Sequence, residues 1–231
     1  MRTLGLLGGM SWESTTTYYQ YLNRLARDRL GGQHSAPLLI WSADFAPLSA
    51  MLAAEDWAGL TAVLADAARR LEAAGAHAVL ICSNTMHLMA EDVQAALRVP
   101  VVHVAEATAD ALIAAGRRRP LLLATRFTME RGFYRDRLAA RGIDAIIPSS
   151  ADRDRLHGMI FDELVQGRFE PASRQAVADI AARAVTDHGV DSVILGCTEF
   201  GLLVGEGDMP VPVFDTAEIH ARAGLALAFG D

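Results

Sequence analysis

Apolar and polar positions follow two different periods along this chain of 231 residues. Short apolar runs bounded by glycine, proline or polar residues predict strands at 3–7, 37–42, 78–82, 99–104, 120–124, 143–147, 191–196 and 211–214. Between them, helical spacing predicts helices at 12–30, 57–73, 86–97, 106–115, 129–141, 152–166, 171–188 and 216–229. In the second of these, Leu60, Val63, Leu64, Ala67 and Leu71 form one apolar stripe. Strands alternating with helices imply parallel sheets joined by right-handed crossovers.

The pattern occurs twice. Residues 74–85 (AGAHAVLICSNT) align with 188–199 (HGVDSVILGCTE) at an offset of 114. Residues 99–106 (VPVVHVAE) align with 211–218 (VPVFDTAE) at an offset of 112, and 4–9 with 120–125 at 116. Three near-equal offsets in order predict an α/β fold of two similar lobes, each a parallel sheet flanked by helices. The lobes are expected to be related by a pseudo-two-fold axis, with the site in the cleft between them. The first lobe takes 1–98 plus 210–231, and the second 99–209. Ligands of open parallel sheets sit beyond the carboxyl ends of the strands. Those ends here are 8–11, 44–45, 83–85, 125–126, 149–150 and 197–199, mostly small or polar residues.

Composition narrows the class. The chain is 52% hydrophobic and 6% aromatic, which is globular rather than disordered. Its 28 acidic and 21 basic residues give a net charge of −7, so no nucleic-acid partner is expected. The Arg117–Arg119 run reads as a solvated helix end. No apolar stretch is long enough to span a membrane, and the first residues do not read as a signal peptide. Two distant cysteines predict no disulfide framework and point to the cytoplasm. Seven histidines without H-x-x-x-H or Cys/His spacing predict no metal site.

Two strand ends carry candidate chemistry. Cys197 lies where a strand stops and a helix is expected to start, a place that favours a thiolate with lowered pKa. Thr198 and Glu199 can cap that helix. In the aligned copy, Ser83 takes the place of Cys197, and Asn84 and Thr85 follow as an anion-holding or capping element. Side chains alternate along a strand, so Cys82, which aligns with Gly196, is expected in the core. Gly8 and Gly9 lack a phosphate-loop pattern and are expected to let backbone approach a small ligand. His87 is expected to be a hydrogen-bonded structural residue. No Ser-His-Asp order and no G-x-S-x-G elbow is present.

The strings at 5–14 (GLLGGMSWES), 83–87 (SNTMH), 196–199 (GCTE) and 213–217 (VFDTA) together resemble the aspartate/glutamate racemase family over nearly the whole chain. That resemblance implies a cofactor-independent enzyme that inverts the α-carbon of acidic amino acids, usually as a homodimer. It implies one acid/base cysteine per lobe. Cys197 matches the second, and Ser83 stands where the first is expected. It further implies substrate contacts from Met10, Asn84, Thr85, Thr125, Thr198 and Glu199, with Arg168 available for a distal carboxylate. The loop at 46–52 has no second cation to offer. The expected mechanism has a Cys197 thiolate abstracting the α-proton, with Ser83, or water held by it, on the opposite face. Two alternatives stand beside it: a single-cysteine decarboxylase or isomerase of the same superfamily, and a non-catalytic amino-acid binder.

Overall fold

The structure is a computed structural model that describes residues 1–230. It divides into two compact units, Met1–His103 with the chain from His220 onward, and Val104–Ile219.

The first unit runs β1 (Leu4–Gly8), α1 (Trp12–Leu30), β2 (Leu38–Ser42), α2 (Phe45–Ala53), α3 (Trp57–Ala73), β3 (Ala78–Ile81), a 3-10 turn (Thr85–Met89), α4 (Ala90–Ala95) and β4 (Val101–Val102). Its sheet is parallel, in the order β2-β1-β3-β4. Helices α1, α2 and α3 begin where side chains satisfy the loose amides of a first turn. Ser11 accepts from the Ser14 amide at the start of α1, and Asp56 from the Gly59 amide at the start of α3. Tyr18, Leu22 and Ala26 then bury one face of α1, and Leu60, Leu64, Ala67, Ala68 and Leu71 one face of α3. Each fully buried leucine contributes about 1.5–3 kcal/mol of transfer free energy.

The second unit runs α5 (Val104–Ala114), β5 (Pro120–Leu123), α6 (Arg126–Glu130), α7 (Gly132–Ala140), α8 (Ser150–Asp162), α9 (Pro171–His188), β6 (Ser192–Leu195), α10 (Phe200–Leu203) and β7 (Val213–Asp215). The last helix, α11 (Thr216–Phe229), begins here and ends in the first unit. The parallel sheet has the order β5-β6-β7, and Ile146 bridges in parallel to Leu121 of β5. With that bridge in the place of β2, the two units share one strand order. The sequence repeat is therefore a repeat of topology.

Several expectations change. Residues 46–52, expected as a loop, lie in α2: Asp44 caps the Ala46 amide, and Leu48 and Leu52 are buried one turn apart. Pro47 is tolerated because it sits in the first turn. The strand expected at 143–147 is reduced to the Ile146 bridge. The helix expected at 129–141 starts earlier and breaks into α6 and α7 at Arg131, whose backbone is extended. Thr125 moves the start by capping the Thr128 amide. The expected lobe boundaries at 98/99 and 209/210 differ from the unit boundaries. Pairing of β4 with β3 keeps residues through His103 in the first unit, and pairing of β7 with β6 keeps 213–215 in the second. No helix among the described residues is long and apolar enough to cross a membrane.

Candidate functional site

In the first unit, the carboxyl ends of β1 and β3 lie side by side, since Leu7 pairs with Ile81. Gly9 follows β1 with φ +82°, and a Cβ there would overlap the backbone nitrogen and oxygen of Ala43. The Ala43 amide donates to the Gly8 carbonyl (3.1 Å), and the Gly9 amide to Thr15 Oγ1 (2.7 Å). The missing side chain makes room for the Ala43 backbone at Gly9 and for the Thr15 side chain at Gly8. Met10 and Ser11 follow, both buried.

Beyond β3, Cys82 is fully buried, its Sγ 3.9 Å from the Leu80 carbonyl oxygen, and burial pushes its thiol far up. Ser83 is half-buried, while Asn84 and Thr85 are buried. The Ser83 carbonyl lies 2.8 Å from His87 Nδ1. A carbonyl only accepts, so this nitrogen carries the proton and donates.

His87 belongs to a group that sequence spacing does not reveal. Its ring centroid lies 4.9 Å from that of His103 and 5.3 Å from that of His220. The three residues are far apart in the chain, so no local motif announces them. His220 Nε2 donates to the Val102 carbonyl (2.7 Å), which leaves Nδ1 to accept from the Tyr18 hydroxyl (2.8 Å). His220 is fully buried and its pKa is pushed down to about 3, first by burial, then by His87, against the hydrogen bond to Val102. No group of His, Cys, Asp or Glu among the described residues has an arrangement for a metal ion.

The buried neutral histidine has a consequence for stability. Its folded pKa lies below the unfolded value, so the unfolded chain binds the proton first. The contribution of neutral His220 is complete above about pH 6.5 and is lost as pH falls toward 3, at about 1.4 kcal/mol per pH unit. The expected result is a melting temperature that falls from pH 6.5 to 4.5, with a loss on the order of 2 kcal/mol from this residue. His220→Gln, scanned over the same range, is expected to flatten that limb. An equally steep limb in the variant would assign the acid sensitivity elsewhere.

In the second unit, β6 ends at Leu195, and Gly196, Cys197, Thr198 and Glu199 follow. A Cβ on Gly196 would come within 2.8 Å of Leu122 Cδ1 and 3.0 Å of Ala124 Cβ. The position equivalent to Cys82 therefore admits no side chain here. Cys197 is 8% exposed and Glu199 is 3% exposed. The Cys197 thiol donates to Glu199 Oε2 at 2.9 Å. Burial raises the thiol's pKa well above its ordinary value, and the Glu199 charge and hydrogen bond raise it further. This corrects the expectation of a thiolate favoured by a helix N-terminus. The helix that follows, α10, has only four residues, and a carboxylate faces the sulfur. Glu199 makes no side-chain capping bond there.

Leu123 pairs with Leu195, so two residues further on, Thr125 and Cys197 close adjacent strands. Thr125 is buried and accepts from the Thr128 amide at 3.3 Å. Thr198 is buried beside Cys197. Arg168 makes its hydrogen bonds away from this group. Its exposed guanidinium donates to the Asp162 carbonyl and to Gln166 Oε1, turning back on its own loop.

Known proteins match this chain over most of its length. The sequence profile of Asp/Glu/Hydantoin racemase matches residues 7–224. A crystal structure of a candidate Asp/Glu racemase from Yersinia pestis is 43% identical. The match covers 99% of this chain and 100% of that one, with a TM-score of 0.90. An aspartate racemase homologue from Pyrococcus horikoshii is 34% identical over 99% of this chain and 100% of that one, with a TM-score of 0.86. The broad specificity amino-acid racemase RacX of Bacillus subtilis is 23% identical over 164 residues, 70% of this chain and 69% of that protein. With a profile match over nearly the whole length and two closely superposing relatives, the chain belongs to the Asp/Glu/Hydantoin racemase family of enzymes.

Proposed function

We propose that the protein racemises acidic amino acids, aspartate or glutamate, without a cofactor and as a homodimer, with Cys197 and Ser83 serving opposite faces of the α-carbon. The observation that carries this reading is the Cys197–Glu199 pair, a buried thiol bonded to a carboxylate at a strand end in a racemase-family chain. The kinship with a broad specificity amino-acid racemase supports amino acids as the substrate class.

The pair holds one transferable proton. When that proton passes to Glu199, Cys197 becomes the thiolate that removes the α-proton. When the sulfur keeps it, the thiol delivers a proton to the carbanion. Ser83 hydroxyl, or water held by it, exchanges the proton on the other face. A hydroxyl is a far weaker acid than a thiol, so the two faces are chemically unequal. The equilibrium constant between enantiomers is one, so kcat/KM must nevertheless be equal in the two directions. The inequality of the faces shows only as paired changes in kcat and KM.

The test is incubation of both enantiomers of aspartate and glutamate in D₂O. Deuterium at the α-carbon together with inversion is the expected outcome. Gas release from a malonate without amino-acid exchange would favour the single-thiol lyase, and binding without either reaction a non-catalytic binder. Glu199→Gln keeps the size of the side chain but removes the carboxylate that takes the thiol proton. It is expected to lower exchange about a hundredfold and to shift the acid limb of the rate profile. Unchanged rates and an unchanged pH profile would remove Glu199 from the proton path.

A further inference from the structure

We infer that His87 is a positioning residue: its ring holds the plane of the Ser83–Asn84 peptide and thereby aims the Asn84 N–H at the substrate's α-carboxylate. This rests on the racemase reading above. His87 Nδ1–H donates to the Ser83 carbonyl at 2.8 Å. The Ser83–Asn84 peptide is trans, and in a trans peptide the C=O and N–H point in opposite directions. Fixing the carbonyl toward the buried ring therefore fixes the amide hydrogen on the other side.

His87 is 2% exposed, whereas Ser83 is half-buried. The carbonyl is thus drawn inward, and the proposal places the N–H on the opposite side, toward the carboxyl end of the first sheet, where ligands of such sheets bind. The ring is itself held. It packs edge-on against His103 and His220, and His220 is anchored at both nitrogens by Val102 and Tyr18. A donor held in this way needs little reorganisation when charge grows on the carboxylate during α-proton removal. No catalytic contact is assigned to His87: it acts through the peptide.

Two substitutions separate the hydrogen bond from the packing. Asparagine places an amide N–H close to the position of Nδ1, whereas leucine fills similar space without a donor. His87→Leu is expected to lower kcat for α-proton exchange about tenfold to a hundredfold, with KM changing less than about threefold. His87→Asn is expected to restore kcat to within about threefold of the parent. Equal losses in both variants, or a folded His87→Leu protein with parental kcat, would overturn the proposal. A measurement on the unmodified protein guards against variants that fail to fold: ¹⁵N chemical shifts of the His87 ring should report a protonated Nδ1. A ring protonated only at Nε2 would overturn the inference. If the parent exchanges no amino acid at all, the racemase reading falls and the substrate role of the Asn84 amide with it, while the ring shifts still report the hydrogen bond separately.

Discussion

Cys197→Ala is expected to lower α-proton exchange at least about a thousandfold, measured as deuterium incorporation into aspartate or glutamate. The α-proton of an amino acid is a very weak acid, and Cys197 is the thiol that the structure couples to a carboxylate at a strand end. Removing the sulfur leaves Glu199 without the group it serves. Donors to the substrate carboxylate would remain, so binding should survive far better than turnover. The matched control is Cys82→Ala. Cys82 is fully buried with its thiol pushed far up, so it has no means of reaching a substrate as a thiolate. This variant is expected to lose some stability, on the order of 1 kcal/mol, and to keep its exchange rate within about twofold. Comparable exchange losses in both variants would mean that the wrong sulfur has been assigned.

Gly9→Ala is expected to produce the largest loss of stability of any single methyl addition in the first unit, about 3 kcal/mol or more. Two costs act together. The backbone at Gly9 has φ +82°, which a side chain disfavours, and the added Cβ would overlap backbone atoms of Ala43 that have nowhere to go. Relief requires β1 and the chain after β2 to separate, which breaks the bond from the Ala43 amide to the Gly8 carbonyl. Gly31 is the control, since it has φ +76° with no atom within 4 Å of an added Cβ. Gly31→Ala carries only the conformational cost of φ +76° and ψ −178°, about 1–3 kcal/mol. Thermal melts of the two variants decide the matter, with a drop near 10 °C expected for Gly9 and a few degrees for Gly31. Equal drops would show that the chain after β2 yields to the methyl group.

The parts of this fold that could be read from sequence are those governed by local rules. The bounds of α1, α3, α9 and α11 coincide with the runs of helical spacing, and capping residues explain three of those starts or stops. The repeat offsets anticipated two sheets of one topology because parallel strand order follows the order of βα units. What escaped depends on contacts rather than order. Nothing in the residues 45–53 announces α2, whose helical state follows from the Asp44 cap and the burial of Leu48 and Leu52. The bond between Cys197 and Glu199 depends on the turn that brings residues two apart together, and burial first, with Glu199 adding to it, reverses the expected direction of the thiol's pKa. The grouping of His87, His103 and His220 requires α11 to return to the first unit, a tertiary event without a spacing signature.

The carboxylate beside Cys197 also bears on the survival of the protein in an oxidising cell. Peroxides and alkylating agents attack the thiolate form of cysteine and spare the thiol. A sulfur kept protonated by burial and by Glu199 is therefore a poor target between turnovers. In the proposed mechanism it turns nucleophilic only while its proton rests on the neighbouring carboxyl group. The pairing that would ready the sulfur in that mechanism thus also disfavours sulfenic acid formation and the irreversible oxidation that follows.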